Sequence, residues 1–145
     1  MIEVTETAID TAALQRSLEN PAAGGYCAFE GWVRNENDGQ VVERLEYEAY
    51  QPLVLVEGEK VIAEARERFR FLEARCVHRV GLLDLGECAV WIGVASKHRD
   101  EAFKACRYII DEIKVRLPIW KKEHYADGDS GWVNCERCAQ HGNAK

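Results

Sequence analysis

Residues 96–123 read SKHRDEAFKACRYIIDEIKVRLPIWKKE, and the way this stretch folds decides the rest of the chain. Projected at about 100° per residue, Ala102, Phe103, Cys106, Ile109, Ile110, Ile113 and Leu117 share one apolar stripe, which predicts an amphipathic helix over residues 99–117. Pro118 ends it, because the residue before a proline is steered out of the helical region. Residues 119–125 then alternate as a short strand, which sends Lys121 and Lys122 to opposite faces.

Working outward, residues 72–80 and 88–96 are apolar runs joined by a segment whose Asp84 and Gly86 suit a turn. His78 shares a face with Leu72, Ala74, Cys76 and Val80 and reads as a hydrogen-bonded core histidine. Pro52 fits the first turn of a second helix, in which Val54, Val61, Ile62, Ala65 and Phe69 recur at helical spacing. Gly58 interrupts it, at a cost of about 1 kcal/mol relative to Ala.

Residues 25–34 alternate, with Cys27, Phe29, Gly31 and Val33 on the apolar face and Tyr26, Glu30, Trp32 and Arg34 opposite. Asp38-Gly39 has hairpin chemistry, which predicts an antiparallel return over residues 41–50 with Val41, Leu45, Tyr47 and Ala49 inward. Before these, residues 2–7 read as a strand and Asp10 as the cap of a short helix, broken by Asn20-Pro21 and Gly24-Gly25. The order favours an α+β fold: a mostly antiparallel sheet packed against two main helices, in one domain of residues 1–134 followed by a tail of residues 135–145.

At 145 residues and 47% hydrophobic content, the chain has the size of one compact domain. No apolar run approaches the roughly 20 residues of a spanning helix, and the opening lacks the pattern of a secretory signal, so a soluble, cytoplasmic protein is expected. The six cysteines are then expected to be reduced, with Cys27, Cys76, Cys88 and Cys106 acting as small buried hydrophobes. Charge is uneven: residues 97–122 hold eight Lys or Arg against four Asp or Glu, in a chain of net charge −6. An acidic chain with its cations in one segment is open to two readings, a solvated helix face with a basic flank or an anion site, and either is a poor fit to nucleic acid.

Several residues in that segment could carry chemistry. Lys114 falls about 20° from Phe103, at the border of the stripe. It is open to two readings: a snorkelling side chain paired with Asp111, or a partly desolvated ammonium able to act as general acid or base. Ser96, His98 and Arg99 stand at the helix start, where unpaired N–H groups favour a phosphate or carboxylate. In the tail, Cys135, Cys138 and His141 have half of a zinc-site spacing, and no second pair completes it.

The motifs Phe29-Glu30-Gly31-Trp32-Val33-Arg34 with Asn37, Leu45-Glu46-Tyr47-Glu48-Ala49-Tyr50, His78-Arg79-Val80-Gly81, Ser96-Lys97-His98-Arg99, and Lys114 followed by residues 118–123 (PIWKKE) occur together in this order. In these motifs, from about residue 25 to 133, the chain resembles the large, catalytic subunit of molybdopterin synthase. The resemblance implies an α+β homodimer that binds two copies of a small ubiquitin-like sulfur carrier, forming a heterotetramer. The carrier's C-terminal Gly-Gly thiocarboxylate would donate sulfur to cyclic pyranopterin monophosphate, yielding molybdopterin for molybdenum cofactor biosynthesis. It further implies Lys114 as the catalytic lysine and Lys121 as a second active-site lysine. Trp32, Val33, Arg34, His98, Arg99, Lys122 and Glu123 would line the substrate site. No cofactor, membrane or nucleic acid is implied. A non-catalytic docking module for such a carrier is the alternative on the same fold.

Overall fold

A computed structural model describes residues 1–134. In chain order the elements are β1 (Ile2–Thr5), α1 (Thr11–Ser17), β2 (Gly25–Trp32), β3 (Glu36–Asn37), β4 (Gln40–Ala49), α2 (Gln51–Arg68) and β5 (Glu73–Arg79). They continue as β6 (Gly81–Asp84), β7 (Cys88–Ser96), α3 (Arg99–Arg116), β8 (Ile119–Tyr125), β9 (Gly128–Asp129) and β10 (Val133–Asn134). The Asp10 carboxylate caps α1 by accepting from the Ala13 N–H at 3.0 Å. Leu117 closes α3 immediately before Pro118, as the proline requires.

The architecture is α+β, with the strands divided between two sheets. One sheet has the order β1-β5-β7-β2, parallel only between β1 and β5, so β2 is a terminal strand. The other runs β10-β8-β4-β3, with β6 also on β4 and β9 on β8, all antiparallel. Helices α2 and α3 pack together; α3 covers β7 and β2, and α2 lies against β1. A continuous core joins both helices to both sheets, from Val54, Val61 and Ile109 to Leu45, Leu83 and Ile119.

The expected hairpin between the strands at 25–34 and 41–50 does not form. β2 pairs with β7, β4 pairs with β8, and the intervening segment crosses from one sheet to the other. Asp38-Gly39 does turn the chain, with φ of 50° and 79°, but it joins β4 to the two-residue β3. A bulge between Val42 and Arg44 shifts β4 against β8. It buries Val42, at 2% exposure, and leaves Val41 at 67% where strict alternation predicted the reverse. The segment expected as a turn before Asp84 is partly the strand β6, which pairs with β4.

Gly58 has a packing reason to be glycine. A Cβ there would stand 2.2 Å from Ile2 Cδ1 and 2.9 Å from its Cγ2, so α2 lies directly on the β1 side chain. Gly58→Ala should therefore destabilise the protein by about 1–3 kcal/mol, although helix propensity alone predicts a gain. Denaturant unfolding checks this, and Ile2→Val, which removes Cδ1, should recover part of the loss in the double variant.

Candidate active site

Lys121 and Glu123 leave β8 on the face that packs inward, opposite Tyr47 and Leu45 of β4. Glu123 is 5% exposed and fully engaged. Its carboxylate accepts from Asn37 Nδ2 at 2.7 Å and from the Tyr125 hydroxyl at 3.3 Å, and Lys121 Nζ lies 3.5 Å from it. Burial and the Glu123 charge push the Tyr125 phenol above its ordinary value, keeping it a donor. The 127–131 turn fixes the backbone: the Glu123 N–H donates to Ser130 Oγ at 2.8 Å, and the Ser130 N–H returns to the Glu123 carbonyl at 3.0 Å. Lys122 lies on the other face, its ammonium 4.6 Å from the centre of the Trp132 ring. Only one of the two adjacent lysines faces the core side of the sheet, as alternation required.

Lys114 is half-buried near the end of α3. Asp111, its possible partner by sequence, instead pairs with Arg107 at 2.8 Å, and among the described residues no carboxylate forms an ion pair with Lys114. Its charge reaches the buried Cys76 and His78 of β5. The His78 ring stands edge-on to Tyr47 at 5.1 Å, and Tyr47 is the register partner of Lys121. His78 thus lies within reach of the α3 lysine's charge and against Tyr47, the strand neighbour of the β8 lysine.

His78 is the expected core histidine, 3% exposed, with Nδ1–H donating to the Arg79 carbonyl at 2.8 Å. Burial, and secondarily the Lys114 charge, hold its imidazole down at about 3. Above about pH 6.5 both folded and unfolded forms are neutral; below it the unfolded imidazole takes up a proton that the folded one refuses. Stability should therefore fall by about 1.4 kcal/mol per pH unit from pH 6.5 toward 3. Urea unfolding between pH 6.5 and 5 measures this slope, which His78→Gln should flatten.

Arg34 reaches this end of the molecule from β2. Val33 is buried, its N–H donating to the Glu87 carbonyl at 3.0 Å and its carbonyl accepting from Gly86 at 2.8 Å. With its side chain in the core, Val33 positions its neighbours Trp32 and Arg34, both exposed. Trp32 is 68% exposed, its indole N–H donating to Glu30 at 3.0 Å. One residue on, the Asn35 carbonyl accepts from Val42 at 2.8 Å, tying the crossing segment to β4.

His98 and Arg99 sit elsewhere. Gly24 and Gly25 allow β2 to begin hard against their turn: a Cβ on Gly25 would stand 3.1 Å from Arg99 Cα, and one on Gly24 2.5 Å from the Lys97 carbonyl oxygen. Ser96 is buried and donates to the His98 carbonyl at 2.5 Å, shaping the helix start, while His98 and Arg99 are exposed. A cavity of about 590 Å³ lined in part by Leu18, Asn20, Gly25, Tyr26 and Ala95 opens beside this turn. Fifteen residues of α3 separate Arg99 from Lys114, about 22 Å along the axis. Within one chain the cations expected in a single pocket therefore form two groups: Arg34, Lys114 and Lys121 at one end of β2 and α3, His98 and Arg99 at the other.

Cys27, Cys76, Cys88 and Cys106 are free thiols. Burial pushes Cys76 and Cys106 up to about 12, and Cys88 to about 11. Among the described residues no group of three or more His, Cys, Asp or Glu could hold a metal ion. The tail candidates Cys135, Cys138 and His141 lie outside those residues. No helix among the described residues is long and apolar enough to cross a membrane. Asn37 and Tyr125 complete the Glu123 cluster; Tyr125 was within reach of the sequence, two residues beyond Glu123 on the same strand face.

The model of the MoaE protein family matches residues 4–116. The molybdopterin synthase catalytic subunit of Thermoplasma volcanium is 44% identical over 131 residues, 90% of this chain and 96% of that protein. The crystal structure of molybdopterin synthase from Staphylococcus aureus superposes with a TM-score of 0.86 at 36% identity, covering 90% of this chain and 95% of that one. A chain from the complex of subunits 1 and 2 of molybdopterin-converting factor from Helicobacter pylori shares the fold, with a TM-score of 0.73 at 23% identity over 88% of this chain and 87% of that one. On the family model and the Thermoplasma relative together, the chain belongs to the MoaE family, the catalytic subunits of the enzyme molybdopterin synthase.

Proposed function

We propose that the chain transfers sulfur from the C-terminal thiocarboxylate of a small ubiquitin-like carrier to cyclic pyranopterin monophosphate, making the dithiolene of molybdopterin in two transfers. The observation that carries this reading is Lys121 held 3.5 Å from the clamped Glu123 carboxylate, with the Lys114 charge, unpaired with any carboxylate among the described residues, acting on His78, which stands against Tyr47, the register partner of Lys121. A thiocarboxylate and a cyclic phosphate are both anions, and bringing them together requires fixed positive charge. A separate carrier subunit is consistent with the relatives' description as catalytic subunits, and the Helicobacter pylori protein of the same fold occurs with a second subunit.

In this reading Lys114 meets the incoming thiocarboxylate and moves a proton during attack on the pterin. Lys121, steadied by Glu123, orients the substrate, while Arg34, His98 and Arg99 hold the phosphate and pterin. Trp32, Lys122 and Glu123 border the same site. About 22 Å of helix is more than one small organic phosphate spans, so His98 and Arg99 come from a second copy of the chain in a homodimer. Two carriers and two catalytic chains then make a heterotetramer acting in the cytoplasm.

Incubating the protein with the pterin precursor and carrier in either thiocarboxylate or carboxylate form tests the reaction. Dithiolene product is expected with the thiocarboxylate alone. Carrier binding without product would overturn the catalytic assignment in favour of a docking module.

A further inference from the structure

In the motif at residues 78–81, His78 meets Tyr47, while the next side chain, Arg79, reaches another way. Arg79 stands at the end of β5 beside Thr5 of β1, and the Val80 N–H after it donates to the Thr5 carbonyl at 2.8 Å, so its backbone is fixed from one side. Its side chain, 13% exposed, crosses the end of the sheet and donates through Nη1 to the Glu87 carboxylate, directly before β7. Its Nε is buried with no hydrogen-bond partner among the described residues. A guanidinium buried with one donor unmet costs stability, and an apolar side chain of similar length would fill the same space more cheaply. Packing alone does not account for Arg79.

What Glu87 holds is the approach to Arg34. The regular ladder between β2 and β7 breaks between Gly31 and Trp32, whose partners are Val90 and Cys88. Past that irregularity Val33 is fixed only by the turn before β7, through its N–H to the Glu87 carbonyl at 3.0 Å and its carbonyl from the Gly86 N–H at 2.8 Å. The Glu87 N–H closes the turn on the Asp84 carbonyl at 3.2 Å. Arg34 is exposed and, among the described residues, in no ion pair, so its guanidinium is aimed by the backbone beneath it.

We propose that Arg79 is a positioning residue for the sulfur transfer: its ion pair with Glu87 seats the 84–87 turn, the turn clamps Val33, and Arg34 is thereby presented to the anionic substrate. The role rests on the reading of Arg34 as a substrate-binding cation given above. Arg79 itself touches no reacting atom. Its effect passes along neighbouring strands of one sheet, from β5 to β7 to β2.

The test is Arg79→Met, which keeps an unbranched stem and removes the charge. Glu87 is 38% exposed, so water takes up its charge and the fold should survive. With thiocarboxylate-loaded carrier, KM for the pterin precursor should rise about 10-fold at near wild-type kcat, the loss of one charge-assisted contact. By amide exchange the Val33 and Gly86 N–H groups should lose protection while the β2–β7 ladder keeps its own. Arg79→Lys should recover most of both effects, and Glu87→Gln should reproduce them in smaller size, which decides the matter should Arg79→Met not fold. Adding Arg79→Met to Arg34→Ala should raise KM no further than Arg34→Ala alone. A lower kcat at unchanged KM, an additive double variant or a Val33 amide that stays protected would overturn the proposal. The underlying reading fails separately: a wild-type KM in Arg34→Ala alone removes Arg34 from the substrate site, and this role with it.

Discussion

Lys114→Ala is expected to lower product formation about 10²–10³-fold with a thiocarboxylate-loaded carrier, while the chain still folds. Folding should survive because no carboxylate among the described residues forms an ion pair with Lys114, so its removal strands no buried opposite charge. The loss should fall mainly on kcat, since the reading puts this ammonium at the atoms that change charge during transfer. A second readout is independent of activity. Lys114 helps hold the His78 imidazole down, so in the variant that imidazole should titrate at higher pH by NMR. Near-normal product formation would remove Lys114 from the chemistry; an unmoved His78 would remove it from that ring's neighbourhood.

Mixing two inactive variants should restore activity. In the proposed shared-site homodimer, a chain carrying Lys114→Ala and a chain carrying His98→Ala with Arg99→Ala would each form dimers with both sites broken. In a mixed dimer one site collects both defects and the other collects none. Random assortment makes half the dimers mixed, with one intact site in each, so activity should return to about a quarter of wild type. If all five cations served one pocket of the same chain, mixing would restore nothing. Co-expression with two different tags, followed by assay of the doubly purified fraction, gives the same comparison without dilution by parental dimers.

The helix, its proline stop and the strand after it were legible because each rests on local chemistry: a 3.6-residue period, a restricted backbone, a two-residue alternation. Strand pairing was not legible. Asp38-Gly39 promised a hairpin and delivered one, but to a two-residue strand that alternation is too short to reveal, so β2 and β4 were wrongly joined. The Val41 and Val42 exchange followed from a bulge, which depends on the partner strand. For the site, Lys121 and Lys122 were separated correctly by strand geometry, and His78 was rightly read as core. Neither signal could show that α3 holds His98 and Lys114 apart, because grouping by sequence segment ignores the length of the element between. Phe103 was assigned to a buried stripe that one chain does not fully bury.

The cysteines beneath α3 have a chemical consequence of their own. A protein that accepts activated sulfur risks losing it to its own thiols, since thiolates attack such groups readily. Burial pushes Cys76 and Cys106 up to about 12, so both stay thiols at neutral pH. Under the proposed sulfur transfer, Cys76 and Cys106 are thereby kept bystanders to the reaction.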